Sequence, residues 1–81
     1  MTSTVTTTYE GTTTEGDPFR VQVAGDRAQV DIEVGGLPFE YAVSQAAAIL
    51  TEVGLGDMAL LGNAITPTTG YDWTLVYRAT D

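Results

Sequence analysis

The sequence contains no cysteine, no histidine and no lysine, and its 81 residues include only three basic side chains, all arginine. Without cysteine there is neither a disulfide nor a thiolate ligand, and without histidine the commonest general base and transition-metal ligand are missing. Without lysine there is no amine for Schiff-base chemistry, and Ser3 and Ser44 have no histidine to activate them. We therefore expect a protein that is not an enzyme and that holds no cofactor and no metal ion.

Acidic residues dominate the charge. Eleven aspartate and glutamate residues face three arginines, Arg20, Arg27 and Arg78, and the net formal charge is -8. Such a field repels phosphate backbones and anionic lipid, and it attracts basic proteins over a Debye length of about 10 Å. We expect a basic protein partner and no direct binding to nucleic acid or membrane. The alternative is that the acidity serves solubility or life at high salt.

Long apolar runs are absent as well. The longest purely aliphatic stretch, Ala46 to Leu50, is far shorter than the ~20 residues that a membrane helix needs. The amino-terminal residues are rich in threonine and do not combine a basic region with an apolar one, as a signal peptide does. We expect a cytoplasmic protein that forms a single domain over residues 1–81.

A period of two predicts a β-hairpin in the first half. Phe19–Ala24 and Arg27–Val34 alternate apolar and polar residues, and Gly25 and Asp26 between them suit a type II′ turn. The turn fixes the register and places the apolar side chains of both strands on one face. The predicted pairs are Ala24–Arg27, Val23–Ala28, Val21–Val30, Arg20–Asp31 and Phe19–Ile32.

The threonine-rich segment before the hairpin predicts another strand, from Thr4 to Thr13. Residues 14–18 have the composition of a turn. Only an odd number of loop residues keeps Tyr9 on the apolar face, so we expect a loop of three or five residues and a three-stranded meander. The predicted pairs are Thr13–Phe19, Gly11–Val21 and Tyr9–Val23.

After Gly35 and Gly36 the apolar period changes to about 3.6, which predicts an amphipathic helix. Pro38 suits its first turn, and Gly54 with Leu55 suits a Schellman motif at its end. The expected apolar stripe consists of Phe39, Val43, Ala46, Leu50 and Val53, flanked by Ala42 and Ile49.

The last third predicts a closing strand over Tyr71–Ala79, with Tyr71, Trp73, Leu75 and Tyr77 on one side. For the segment before it we expect a short helix from Asp57 to Leu61, with a buried strand as the alternative. The fold class is thus α+β: a four-stranded, mainly antiparallel sheet in the order β-β-β-α-(short α)-β, with one helix packed on one face.

The opposite face of this sheet is the expected binding surface. It should be a polar, mainly anionic plate, and carboxylates spaced along strands can imitate a row of phosphates. We expect a protein-binding module that presents this plate to a basic partner, in the manner of a phage-type inhibitor or regulator; a hydrated outer face is the ordinary alternative. The candidate partner-binding residues are Glu10, Gln22, Gln29, Asp31 and Glu33.

Two further functions stay open. The threonine-rich first strand has few charges to block pairing, so a homodimer through a strand edge is one alternative. A carboxylate-dependent hydrolase is the other, because Asp31 and Glu33 lie two residues apart on one strand, near Glu10.

Overall fold

One helix and five strands make up the part of the chain that the computed structural model describes, residues 6–64 and 69–80. All neighbouring strands are antiparallel, and their order across the sheet is β1-β2-β3-β5-β4. The elements are β1 (Thr6–Thr12), β2 (Pro18–Ala24), β3 (Arg27–Ile32), α1 (Phe39–Glu52), β4 (Met58–Asn63) and β5 (Trp73–Ala79).

The hairpin of β2 and β3 confirms the predicted register at every pair. Gly25 has φ +62°, and only glycines among the described residues have positive φ. A positive φ at the first turn residue with a negative φ at Asp26 is the pattern of the predicted type II′ turn. The two-residue alternation places Val21, Val30 and Ile32 in the core, where none of them is exposed.

The β1–β2 connection has the predicted odd length, but its register is shifted by two residues. Tyr9 lies opposite Val21 and not opposite Val23. The cause is the closure of the loop, in which the amide of Thr13 donates to the carbonyl of Asp17 at 2.9 Å and the amide of Asp17 donates to Thr13 Oγ1 at 3.1 Å. Strand pairing therefore begins at Thr12. The predicted beginning of this strand, at residues 4–5, lies outside the described residues.

Helix α1 confirms the predicted period and ends in a Schellman motif. The amide of Leu55 donates to the carbonyl of Leu50 at 2.7 Å, the amide of Gly54 donates to that of Thr51 at 3.2 Å, and Gly54 has φ +84°. The buried face of the helix is rotated slightly from the predicted one. Helix α1 packs on β3 and β5 in an orientation that leaves Val43 only half-buried. The buried helix residues are Ala42, Ala46, Ile49 and Leu50.

The predicted short helix at Asp57–Leu61 is wrong, because this segment forms strand β4. Alanine and leucine favour helix intrinsically, but pairing with β5 satisfies the backbone groups of both chain segments. A β-bulge between Leu60 and Gly62 interrupts the pairing. The sheet consequently has five strands among the described residues, and the predicted number of four is wrong.

The closing strand begins at Trp73, two residues later than predicted. The side chain of Asp72 binds the loop between β3 and α1, since its Oδ2 accepts hydrogen bonds from the amides of Val34 and Gly36 at 3.0 and 3.1 Å. Tyr71 does not share the side of Trp73: its ring lies 5.6 Å from the guanidinium carbon of Arg20, on the other face of the sheet. The Trp73 ring packs on the helical face, with its centroid 5.4 Å from that of Phe39.

Candidate functional site

The face of the sheet opposite α1, which we call the far face, carries the polar residues of the alternating strands. One row runs across four strands and consists of Glu10, Arg20, Asp31 and Thr74. The next row consists of Thr8, Gln22, Gln29 and Val76. Four of the five candidate residues, Glu10, Gln22, Gln29 and Asp31, therefore lie on one face, as the alternation predicts.

Asp31 is not exposed on this face. Its side chain is fully buried, and its carboxylate accepts hydrogen bonds from Thr74 Oγ1 at 2.7 Å, from Arg20 Nη2 at 3.3 Å and from Gln29 Nε2 at 3.3 Å. Buried charges are retained in proteins when they are paired and hydrogen-bonded in this way. The expectation of an exposed carboxylate at Asp31 is therefore wrong, and a direct contact with a partner would require these neighbours to move.

Arg20 is likewise engaged in contacts within the molecule. Its guanidinium pairs with Asp31, rests against the ring of Tyr71 and leaves only 29% of the side chain exposed. Its Nε is buried and has no hydrogen-bond partner among the described residues. The centre of the far face is thus a nearly neutral cluster, which we call the Asp31 cluster, formed by Arg20, Gln29, Asp31, Tyr71 and Thr74.

The other candidate residues are spread around this cluster. Glu10 is exposed on β1, and Glu33 is exposed just after the end of β3. Gln22 and Gln29 are half-buried and oppose each other across β2 and β3. Beside them lies a shallow, open depression of about 360 Å³, lined by Gln22, Ala24, Arg27, Ala28, Gln29 and Val76. The expected anionic plate is not formed, because its central carboxylate is neutralised by Arg20.

Negative charge collects at one end of the sheet instead. The antiparallel register brings together the β1–β2 loop, the end of β3, the beginning of α1 and the beginning of β5. The amide of Glu33 donates to the carbonyl of Pro18 at 3.0 Å, and the Tyr41 hydroxyl donates to Asp17 Oδ2 at 3.1 Å. We call this region the acidic end; its carboxylates belong to Glu15, Asp17, Glu33, Glu40 and Asp72.

The pKa of Tyr41 reflects this concentration of charge. Desolvation of the phenol raises it, the hydrogen bond to Asp17 and the negative charges of Asp17 and Glu15 raise it further, and a hydrogen bond from Gln45 acts in the opposite direction. Two carboxylates of the β1–β2 loop therefore act on a side chain of α1. Sequence analysis did not select four members of the acidic end, Glu15, Asp17, Glu40 and Asp72. The signal that could have found them is the number of acidic residues in segments that a meander brings to the same end of the sheet.

All three arginines have aspartate partners outside the acidic end. Arg20 pairs with Asp31, while Arg27 and Arg78 oppose each other across β3 and β5 and share Asp26, at 3.8 and 3.9 Å. The pairs with Asp26 are more than half exposed, so each contributes little to stability. Arg27 and Arg78 matter for the charge distribution instead, because they place positive charge at the end of the sheet opposite the acidic end.

The two edges of the sheet differ in charge. Strand β1 contains Glu10, whereas β4, with the sequence MALLGN, contains no charged residue. On β4, 36% of Leu60 and 52% of Leu61 is exposed. The sequence analysis placed the open edge at the threonine-rich strand; the structure adds a second edge that is more apolar.

Within residues 6–64 and 69–80, no group of three or more acidic residues is arranged to hold a metal ion. No helix in the same part of the chain is both long and apolar enough to cross a membrane. Comparison of the chain with protein-family models, with curated proteins and with solved structures gave no match.

Proposed function

We propose that this protein is a non-enzymatic binding module whose acidic end binds a basic surface of another protein. The observation that carries the proposal is the segregation of charge. Five carboxylates gather at one end of the sheet, while the arginines pair with Asp26 and Asp31 elsewhere. A cationic partner would meet an uncompensated negative field there.

Three members of the acidic end are available for direct contact. Glu15, Glu33 and Glu40 are exposed, and they come from a loop, a strand terminus and a helix terminus. Asp17 and Asp72 are held by hydrogen bonds but still add to the field. Carboxylates presented from three elements can occupy the cationic groove that otherwise receives a nucleic-acid backbone. The proposed role is therefore inhibition or regulation of a basic, nucleic-acid-binding protein, in the cytoplasm.

The state of Asp31 supports a binding role over hydrolysis. A general acid or base must reach its substrate, but the Asp31 carboxylate is buried and already engaged by Arg20, Gln29 and Thr74. Glu33 is exposed, so it lacks the enclosed cleft in which a catalytic carboxyl group usually meets its substrate. Binding by the remaining carboxylates needs no such enclosure.

The proposal is tested by calorimetric titration with an arginine-rich peptide as the basic probe. The double variant Glu15→Gln, Glu33→Gln removes two charges from the acidic end. The matched control, Glu52→Gln with Asp57→Asn, removes two exposed charges from the opposite end. We expect the first variant to bind about three- to tenfold more weakly than the control, since removal of an exposed charge costs under about 1 kcal/mol.

The salt dependence provides a second readout. Binding at the acidic end should weaken steeply as NaCl is raised, because screening shortens the range of the field. Equal losses of affinity in the two double variants would show that only the net charge matters and would overturn the proposed site. Binding that is insensitive to salt would contradict the electrostatic basis of the proposal.

A further inference from the structure

We propose that strand β4 pairs with β4 of a second copy of this chain, antiparallel and about a two-fold axis. This would join two five-stranded sheets into one of ten strands. Backbone groups on the outer side of an edge strand are a ready template for another strand, and natural proteins block such an edge with charged residues, proline or a β-bulge. Met58–Asn63 contains no charged residue and no proline, its bulge is confined to Leu60–Gly62, and Leu60 and Leu61 are exposed on it.

Strand β4 can pair with itself about a two-fold axis at Leu60. Leu60 then faces Leu60 of the second copy. Leu60 lies opposite Tyr77 within the sheet, so its side chain is on the helical face and the apolar face continues across the junction. Antiparallel pairing also keeps Asp57, just before the strand, away from Asp57 of the second copy, whereas parallel pairing would bring the two together.

The charge distribution favours a second copy over a basic partner at this edge. The β1–β2 loop, which carries Glu15 and Asp17, joins strands three and four positions from β4. With about 4.8 Å between strands, these carboxylates lie at least about 19 Å from β4 of the other copy, beyond a Debye length of about 8 to 10 Å. Of the acidic end, Asp72 lies beside a strand that neighbours β4, and the amides of Val34 and Gly36 already hold its carboxylate, so β4 offers a basic partner little.

The size of the contact sets the strength that we expect. Each β4 has six residues, and the bulge between Leu60 and Gly62 interrupts its regular geometry. The buried area therefore falls in the class of small, transient interfaces, below about 1,200 Å². We expect a dimer whose population rises with protein concentration.

Sedimentation velocity over a wide concentration range tests the proposal, with two lysine variants as a matched pair. Leu61→Lys places a charge on β4, and Thr8→Lys places the same charge at an exposed position of β1, the opposite edge. We expect Leu61→Lys to raise the dimer dissociation constant at least tenfold and Thr8→Lys to leave it within about twofold. Circular dichroism confirms that both variants fold.

Three results would overturn this proposal. They are a strict monomer at the highest concentration reached, a larger effect of Thr8→Lys than of Leu61→Lys, and equal effects of the two. None of these bears on the peptide titration of the acidic end, because that binding does not involve β4. The two proposals can therefore fail independently.

The register is tested by cross-linking, which the absence of native cysteine makes clean. Directly opposed residues of antiparallel strands have Cα atoms about 4.5 to 5.5 Å apart, within the range that a disulfide spans. Leu60→Cys should therefore form a disulfide-linked dimer under mild oxidation. Thr8→Cys should not, and cross-linking of both variants at the same rate would contradict the pairing.

Discussion

At the scale of single residues, Asp31 shows how neighbours can reverse the role expected for a side chain. Alternation places it on the polar face, where a carboxylate is ordinarily solvated. The register brings Arg20 and Thr74 to the positions directly opposite it, and Gln29 lies two residues before it on β3. These side chains cover the carboxylate and supply its hydrogen bonds, so the residue is internal although it lies on the outer face.

The Asp31 cluster should be strongly coupled. Asp31→Asn removes the charge that Arg20 requires, and breaking a largely buried pair costs about 3 kcal/mol. The double variant Arg20→Met, Asp31→Leu should cost less than the sum of the two single variants, because it leaves no unpaired charge. Urea unfolding of the wild type, Arg20→Met, Asp31→Leu and the double variant measures the coupling. Additive effects on the free energy of unfolding would show that the pair contributes no interaction energy.

Tyr77 offers the opposite case of a buried polar atom without compensation. Its hydroxyl is buried and has no hydrogen-bond partner among the described residues. Tyr77→Phe removes this unpaired group while the ring is kept, so we expect stability to be unchanged or raised by up to about 1 kcal/mol. The control is Tyr41→Phe, which removes a hydrogen bond to Asp17. A clear loss of stability in Tyr77→Phe alone would contradict this description.

Alkaline pH should destabilise the fold. Burial raises the pKa of Tyr77, and desolvation with the nearby carboxylates raises that of Tyr41. Both phenols ionise at lower pH in the unfolded chain, near 10. Their contribution is therefore complete below about pH 10 and is lost as the pH rises from there through the folded-state pKa values. Unfolding free energies measured across this range should fall less steeply in Tyr41→Phe.

At the scale of elements, one helix covers only part of a five-stranded sheet. Helix α1 packs over β3 and β5, so the outer strands keep exposed apolar side chains, Tyr9 on β1 and Leu60 on β4. Fourteen residues make a helix about 21 Å long but only about 10 Å wide, which spans about two strand spacings. The open edges follow from this mismatch in width.

The end of α1 depends on the left-handed conformation of Gly54. An added Cβ there would meet nothing within 4 Å, so the cost of Gly54→Ala comes from the backbone and not from a clash. We expect a loss of about 1 kcal/mol, and a smaller loss for Gly54→Asn, since asparagine tolerates this conformation better. Thermal unfolding of the two variants checks the order, and an equal loss in both would contradict it.

At the scale of the whole molecule, the net charge of -8 opposes the compact state through self-repulsion. Added NaCl should therefore raise the melting temperature by screening the exposed carboxylates, while the buried Asp31 pair is little affected. NaCl is preferable to sulfate, which strengthens apolar burial independently. A melting temperature that does not rise with NaCl would contradict this prediction, and complete unfolding at low salt would instead indicate adaptation to high salt.

The sequence by itself determined the features that depend on local periodicity and turn chemistry. The register of the β2–β3 hairpin follows from two-residue alternation around Gly25, and the course of α1 follows from the 3.6-residue period and the stop at Gly54. These are short-range effects, and each is encoded by residues close together in the chain.

Only the tertiary structure decided the strand nature of Met58–Asn63, the place of β5 between β3 and β4, and the burial of Asp31. Each depends on a partner distant in sequence: Tyr77 for β4, and Thr74 of β5 for Asp31, whose pairing with Arg20 the hairpin register already predicted. The intrinsic propensity of Ala59, Leu60 and Leu61 favours helix, and backbone pairing with β5 overrides that propensity. The candidate site changed for the same reason, because side chains from separate strands neutralised its centre and left the charge at the acidic end.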